Sequence, residues 1–472
     1  MPRGVLVQRF GPFELDLAGG RLFRGDEQVR MSQAQAAVLV HLVEHAGEVV
    51  SKDTLMHVGW PHTAVTENNL DQAISRLRRK FNGAGQATEY IKTIPHRGYR
   101  FAVVATTGYR AVREGILDEH LAPYRTLAHG RHELDFLDRD RVHRAKADIE
   151  LVVQQAPECA VADIDLAMAC ALLVEASAAD PAADLATLHA GVARARAACA
   201  RLPASADAWA TLALLLGQQG HHDAARGAAT KAMELDPEDW RHALRAAYVS
   251  WGGERLHLAR HVLTLYPGFA LAHWLRTTVF IARGIHDIAL AEAERGCAAQ
   301  DAQTPGSPFP GVGMHLHRGH LLAARGRLEE AVAAFERELA HVARSTQIYA
   351  REAEGNAWYA LGAVRRRQRQ HDGAAAAFTR ALAVAGGHVA TAAALHGTIP
   401  PSAALMDVAL AQAIVFARAG QHADAARVYL TALRGEPQGS AGWMLSVEPT
   451  LNVGAHPDVW TEALALVRSR AG

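Results

Sequence analysis

Val65–Phe81 reads VTENNLDQAISRLRRKF, and Ile91–Phe101 reads IKTIPHRGYRF. The first stretch has helical spacing. Thr66 suits an N-cap, and Glu67 puts a carboxylate in the first turn, where the helix dipole favours it. Leu70, Ile74, Leu77 and Phe81 recur at i, i+4, i+7 and i+11, which makes one narrow apolar stripe. Asn68, Gln72, Ser75 and Arg79 fall on the opposite face, flanked by Asn69 and Arg76. Arg78, Arg79 and Lys80 gather at the C-terminal end. Asn, Gln and Arg can pair with base edges in a DNA major groove, and Arg and Lys supply phosphate contacts. An ordinary surface helix has the same polar outer face, so this helix alone leaves both readings open. The second stretch favours nucleic acid. Tyr90–Thr93 and Tyr99–Val103 read as short strands about the turn Pro95-His96-Arg97-Gly98, with Arg97 and Arg100 around the tip. A cationic hairpin beside a basic helix can reach an adjacent minor groove or the backbone.

Upstream, Val5–Phe10, Phe13–Leu17, Arg21–Arg24 and Gln28–Met31 read as short antiparallel strands, separated by Gly11-Pro12, Gly19-Gly20 and Gly25-Asp26. Ser32 caps a helix to about His45, with Ala36, Leu39, Val40 and Val43 on its inner face. Ser51 caps a second helix to about Val58, which Trp60-Pro61 stops. One helix would brace and the next would read, as in a helix-turn-helix.

In this order the pieces resemble the winged-helix output domain of OmpR/PhoB-type response regulators. The matching residues are Phe10–Leu17 (FGPFELDL), Arg21–Arg24 (RLFR), Met31-Ser32, Gly47–Ser51 (GEVVS), Asp53–Trp60 (DTLMHVGW) and the two stretches quoted above. The resemblance implies that the Val65–Phe81 helix enters the major groove and that the hairpin touches the minor groove. It carries over Asn68, Asn69, Gln72, Ser75, Arg76, Arg78 and Arg79, with Arg97 on the wing, as DNA contacts. Lys80 joins them as a phosphate contact. Ser75 is a departure, since many members carry a basic residue there.

The chain has 472 residues and a formal charge of zero, so its overall charge makes no case for nucleic acid. The distribution says more. Residues 1–107 hold thirteen Lys+Arg against ten Asp+Glu, with four of the positives between Arg76 and Lys80. That fits a basic DNA-binding head on a neutral body. Cys159, Cys170, Cys199 and Cys297 lack CxxC spacing and suit buried thiols in a reducing cytosol. No secretory signal and no membrane-spanning run is apparent, so a cytoplasmic protein is expected.

From about Tyr124 the chain becomes Ala-rich amphipathic helix broken by Gly and Pro. Trp209, Leu212, Ala213, Leu216, Gly220, Ala225, Ala229, Ala232 and Pro237 fit the tetratricopeptide pattern. The frame recurs from His273, His315 and Trp358, and again around Phe416–Pro437. A shorter unit at Trp240–Pro267 and two degenerate units ending near Pro157 and Pro203 give roughly eight or nine helical hairpins. Gly442–Arg470 reads as a capping helix pair, and Asp301–Gly313 as a break in the stack. Tyr124–Ala169 also resembles the tetratricopeptide bodies fused behind winged-helix domains in bacterial transcription activators, at Gly130-Arg131, Ala145, Ile149, Ala156-Pro157 and Leu166-Ala167.

Few residues suggest other chemistry. His315, His317 and His320 form HxHxxH, but His315 occupies a repeat position, and packed or solvated imidazoles are the commoner case. His41 and His45 lie one turn apart with no third ligand apparent in sequence. Arg365–Arg369 (RRRQR) suits a solvated helix face better than a second basic patch. There is no Walker loop, dinucleotide fingerprint, GxSxG or HExxH. No enzyme, cofactor or metal is expected.

The expected fold is a small α+β winged-helix domain (residues 1–105), a linker (106–119) and an all-α tetratricopeptide-like superhelix (120–472). The expected function is a one-component, sequence-specific transcription regulator without a receiver domain. Its partners would be double-stranded DNA on the head and a protein, peptide or small molecule on the body, with homodimerisation open and no membrane. The alternative is a scaffold whose winged helix no longer binds DNA. The cluster Arg76–Lys80 with Arg97 separates the two readings, because a scaffold has no need of it.

Overall fold

The structure, a computed structural model, describes residues 4–25, 27–61, 65–82, 89–111, 116–176, 181–304, 306–343, 345–385, 388–399, 405–436 and 439–472. The chain divides into two compact units, Met1–Arg125 and Thr126–Gly472.

In the first unit, strands β1 (Gly4–Phe10), β2 (Phe13–Asp16), β3 (Arg21–Arg24) and β4 (Glu27–Val29) form an antiparallel meander. Phe10 pairs with Phe13 across a tight turn at Gly11, whose φ of 52° suits glycine. Helix α1 (Gln33–Glu44) opens with a capping box, in which Ser32 Oγ accepts from the Gln35 N–H and Gln35 Oε1 accepts from the Ser32 N–H. Helix α2 (Lys52–Gly59) is capped by Ser51, and α3 (Glu67–Asn82) follows. Strands β5 (Ile91–Ile94) and β6 (Gly98–Phe101) form a separate hairpin.

The stretch expected to be a linker supplies β7 (Thr106–Ala111), which pairs antiparallel with β1 from Gly4↔Ala111 to Arg9↔Thr106 and becomes the edge of a five-stranded sheet. A short polar strand at a sheet edge has little hydrophobic periodicity, so its pairing partner defines it. The inner face of α1 also differs from expectation. Gln35, Val38, Leu39, Leu42 and Val43 are buried, while Ala36 and Val40 are half-buried. Apolar residues nearly all round this helix leave its phase open, and the capping box turns Gln35 inward.

The stripe on α3 is the floor of the head. Leu70, Ile74, Leu77 and Phe81 are at most 2% exposed. Phe81 meets Phe13 and Tyr90 at ring separations of 5.2 and 5.1 Å, and Phe10 meets Phe101 at 4.9 Å. Each such buried side chain contributes about 1.5–3 kcal/mol of transfer free energy.

The second unit is a tetratricopeptide-like stack of helix pairs: α4 (Ile116–Leu134), which enters this unit at Thr126, with α5 (Arg139–Gln155), α6 (Ala160–Ala176) with α7 (Pro181–Arg201), and α8 (Ala206–Gln218) with α9 (His222–Leu235). Then come α10 (Trp240–Val249) with α11 (Gly252–Leu265), α12 (Ala270–Ala282) with α13 (His286–Asp301), α14 (Met314–Ala324) with α15 (Leu328–Val342), and α16 (Ala350–Arg367) with α17 (His371–Val384). A short α18 (Val389–His396) precedes α19 (Leu405–Arg418) and α20 (His422–Gly435). The repeat glycines act by size. A Cβ on Gly319 would lie 2.3 Å from Phe335, and one on Gly362 would lie 2.7 Å from Phe378.

The first helix of five pairs ends in the same cap. Gly220, Gly284, Gly326 and Gly420 take φ of 71–79°, and the next N–H bonds the carbonyl five residues back, as His221 does to Leu216 and Gln421 to Phe416. Arg369 fills the equivalent position in α16 at φ 62°, with Gln370 N–H on Arg365 O. The RRRQR run therefore closes a helix. Arg366 donates to Ala394 O, Arg367 donates to Ala323 O, and Arg365 approaches Glu336.

The end of the chain departs from the expected helix pair. A single α21 (Pro457–Ala471) is preceded by two 3-10 turns, Leu445–Val447 and Val453–Ala455. Left-handed residues at Gly442 and Asn452 interrupt any longer helix. This segment packs back on the middle of the stack, where Arg283 donates twice to Ala471 O at 3.0 Å and Ser446 Oγ donates to Ile281 O. The break after α13 also has a task. Phe309 N–H donates to Asp135 O at 2.7 Å, and the Phe309 ring lies 4.9 Å from Trp240.

Burial of neutral imidazoles should make the body acid-sensitive. His315 bonds Asp301, His317 lies between Trp274 and Trp443, and His320 packs on Phe335, so the three rings diverge. Burial holds His317 at about 4 and His388 at about 4, and burial with the neighbouring His317 holds His320 at about 3. These folded-state values lie below the unfolded value of about 6.5. Their contribution to stability is therefore full above pH 6.5 and is lost as pH falls toward 4. Thermal unfolding from pH 7 to 4.5 should show this loss, and H317L/H320L should flatten it. Separately, Arg369→Gly relieves a left-handed non-glycine residue and should stabilise the body by up to about 1 kcal/mol in denaturant titration.

Candidate nucleic-acid interface

With one side of α3 committed to the core, its other side is fixed outward. Asn68, Ser75 and Arg79 are exposed, and Asn69, Gln72, Arg76, Arg78 and Lys80 are half-buried. Arg97 is exposed at the tip of the β5–β6 hairpin, next to His96, which turns the chain at φ 60°. All nine expected contact residues thus lie on α3 or on its hairpin. Their roles divide once the bonds are traced.

Asn69 serves the helix start. Its Oδ1 accepts from the Thr66 N–H at 3.2 Å and from the Thr66 hydroxyl at 3.0 Å. Thr66 stands immediately before the helix, where the cap is expected, and Asn69 at the third helical position reaches back to it. Arg78 serves the hairpin. Its Nε donates to Ile91 O at 3.0 Å and its Nη2 to Thr93 Oγ1 at 2.8 Å, and the guanidinium lies 6.0 Å from the Tyr99 ring centre. Arg78 therefore ties α3 to β5. At the far end, Arg24 Nη2 donates to Lys80 O at 3.1 Å.

The same helix carries acidic residues whose partners are distant in sequence. Asp71 accepts from the Tyr99 hydroxyl, and Lys52 at the start of α2 pairs with Glu67 and lies 3.9 Å from Asp71. Burial, the hydrogen bond to Asp71 and the Asp71 charge raise the Tyr99 phenol well above its usual range, so it stays a donor. The hairpin is held from a third side too. Val50 and Tyr99 exchange backbone hydrogen bonds at 2.8 and 3.0 Å. Gly98 lies so close to this strand that a Cβ would fall 2.0 Å from Val50 O. Lys92 and Arg100 are direct cross-strand partners, so Lys92 joins Arg100 as a cationic pair. Alternation along β5 and β6 would have revealed the pairing once the register was known.

The outward surface therefore combines amide and guanidinium groups on α3 with Lys92, Arg97 and Arg100 on the hairpin. Such groups can read base edges and neutralise phosphates.

The second unit has a partly open pocket of about 270 Å³ lined by Glu175, Gln218, Tyr248, Trp251 and Arg255, among others. Glu175 accepts from Gln218 Nε2 at 2.9 Å and from Tyr248 Oη at 3.3 Å, and burial raises its carboxyl above the usual range. Arg255, pushed down to about 10 by burial, donates to the carbonyls of Ala247, Ser250 and Tyr248.

Comparison with known proteins places these units. Residues 26–101 match the C-terminal domain of transcriptional regulatory proteins, and residues 206–239 match the tetratricopeptide repeat. Transcriptional regulator HilA of Salmonella typhimurium is 39% identical over 92 residues, which is 20% of this chain and 16% of HilA. Protein PetR of Rhodobacter capsulatus is 34% identical over 98 residues, 20% of this chain and 41% of PetR. The chain thus spans well under two thirds of either relative. Among solved structures, the DNA-binding domain of E. coli CadC is 28% identical, covering 22% of this chain and 98% of that one at a TM-score of 0.20. The human IFIT1 dimer with m7Gppp-AAAA is 15% identical and covers 78% of each chain at a TM-score of 0.46. Among the described residues no helix is long and apolar enough to cross a membrane.

The two adjacent arginines should behave oppositely in folding. Arg78→Ala removes two charge-assisted bonds and should destabilise the head by about 1.5–3 kcal/mol. Arg79→Ala, at an exposed position, should change stability by less than about 0.5 kcal/mol. Urea unfolding of the two variants, followed by far-UV dichroism, makes the comparison.

Proposed function

We propose that this chain is a sequence-specific DNA-binding transcription regulator. The observation that carries the reading is the outward face of α3, on which Asn68, Gln72, Ser75, Arg76 and Arg79 lie opposite a fully buried stripe and beside a cationic hairpin. In this reading α3 lies in a major groove. Asn68, Gln72, Arg76 and Arg79 reach base edges, Ser75 and Lys80 approach the backbone, and Arg97 extends the contact to the neighbouring minor groove. Lys92 and Arg100 add phosphate contacts from the hairpin. Asn69 and Arg78 act first on structure. Asn69 fixes the first turn of the helix, and Arg78 fixes the hairpin that carries Arg97.

The match of residues 26–101 to transcriptional regulatory domains and the similarity to HilA and PetR support this reading. The protein acts by binding rather than by catalysis, and it works in the cytoplasm, where DNA is accessible. The helical body takes the regulatory input from a protein, peptide or small molecule. Its pocket around Glu175, Tyr248 and Trp251 has the mixed aromatic and polar lining that a small polar ligand needs.

Electrophoretic mobility shift of the full chain on its selected operator tests the interface. Arg76→Ala/Arg79→Ala should weaken specific binding by about 1–3 kcal/mol per lost base contact. Lys92→Ala should weaken binding to all sequences alike and reduce the salt dependence by about one phosphate contact. Undiminished affinity in the double variant would remove α3 from the mechanism.

A further inference from the structure

The C-terminal turn of α1 carries a side-chain group that the DNA-binding reading does not use. His41, Glu44 and His45 stand at i, i+3 and i+4, the spacing that puts three side chains on one helix face. One ligand-capable atom from each lies within 4.8 Å of the others, and the two imidazole rings are 4.3 Å apart. Both histidines are half-buried and Glu44 is exposed, so the group opens to solvent.

The ring of His45 is already oriented. Its Nδ1 lies 2.9 Å from the His41 backbone oxygen. A carbonyl oxygen can only accept, so Nδ1 carries a proton, and in the neutral imidazole Nε2 then presents a bare lone pair. A backbone carbonyl holding the second ring nitrogen is the arrangement that fixes metal-ligating histidines. The end of α1 adds a favourable field, because unpaired carbonyls make a helix C-terminus partially negative. The Glu44 carboxylate makes no hydrogen bond to a described residue and can turn toward the rings.

A second group, Asp236, Asp239 and His242, has similar proximity. There, however, Asp239 is engaged on both oxygens by Arg241 and caps α10 through the Arg241 N–H, so its ligand capacity is spent.

We propose that His41, Glu44 and His45 bind one divalent late first-row transition ion of the zinc class. Two imidazoles and one carboxylate select such ions over magnesium or calcium, which favour all-oxygen sites. Three protein ligands leave at least one coordination position to water. A tetrahedral ion with bonds of about 2.1 Å needs donors about 3.4 Å apart, and rotation of these accessible side chains closes the remaining gap. The bound ion fastens the last turn of α1. The segment after that turn bonds the hairpin, with Gly47 N–H on Phe101 O at 2.9 Å and Val50 N–H on Tyr99 O at 2.8 Å.

Zinc titration of the full chain against a chromophoric chelator tests the site, because the chain has 26 histidines and a background must be subtracted. The wild type should show one tight equivalent that H41Q and H45Q each lose. E44Q should bind it at least about tenfold more weakly, since even an outer partner of a metal ligand is worth 10–100-fold. Cobalt should give a visible ligand-field band in the wild type that both histidine variants abolish, and far-UV dichroism confirms that each variant is folded. Retention of the tight equivalent in either histidine variant, or of full affinity in E44Q, overturns the three-ligand site.

Discussion

Burial of Leu70, Ile74, Leu77 and Phe81 is the constraint on which the head depends. Four large side chains on one side of a 16-residue helix leave a single rotation about its axis that hides them all. That rotation decides which polar residues face outward. The same rotation turns Arg78 to the hairpin and leaves Asp71, itself exposed, within reach of Tyr99 and Lys52. The aromatic group of Phe10, Phe13, Phe81, Tyr90 and Phe101 then joins the sheet, the helix and the hairpin in one core. Preorganisation of the interface follows from packing, because the groups that would touch DNA sit on elements that are already fixed.

The body solves a different problem. Each helix pair is too small to bury its own apolar face, so stability comes from stacking. Small residues set the approach within a pair, as at Gly319 and Gly362. Arginines satisfy helix ends between pairs: Arg366 and Arg418 both reach α18, at Ala394 O and Ala393 O. The stack is also braced over long distances in sequence. Ile348 N–H bonds Leu137 O, and Arg283 bonds Ala471 O.

Much of this was legible in the sequence for physical reasons. The stripe on α3 has a strong period, the turn Pro95–Gly98 has specific turn chemistry, and the repeat signature keeps its internal spacing from copy to copy. The parts that were not legible depend on partners far along the chain. The strand Thr106–Ala111 exists because β1 offers it an edge. The phase of α1 was hidden by apolar residues on nearly every side. Arg78 looked like its neighbours Arg76 and Arg79, and only the position of β5 assigns it to the hairpin. Glu44 completes a group with His41 and His45 on one helix face, but an acidic residue at a helix end is common enough that its spacing alone does not mark it.

In the proposed function the outward face of α3 reads DNA sequence. Selection of bound sequences from a random duplex pool tests it most directly, using the full-length chain and, in parallel, residues 1–125, at two salt concentrations. The account predicts an enriched motif whose affinity falls steeply with salt. Failure of both folded proteins to enrich any motif would contradict it.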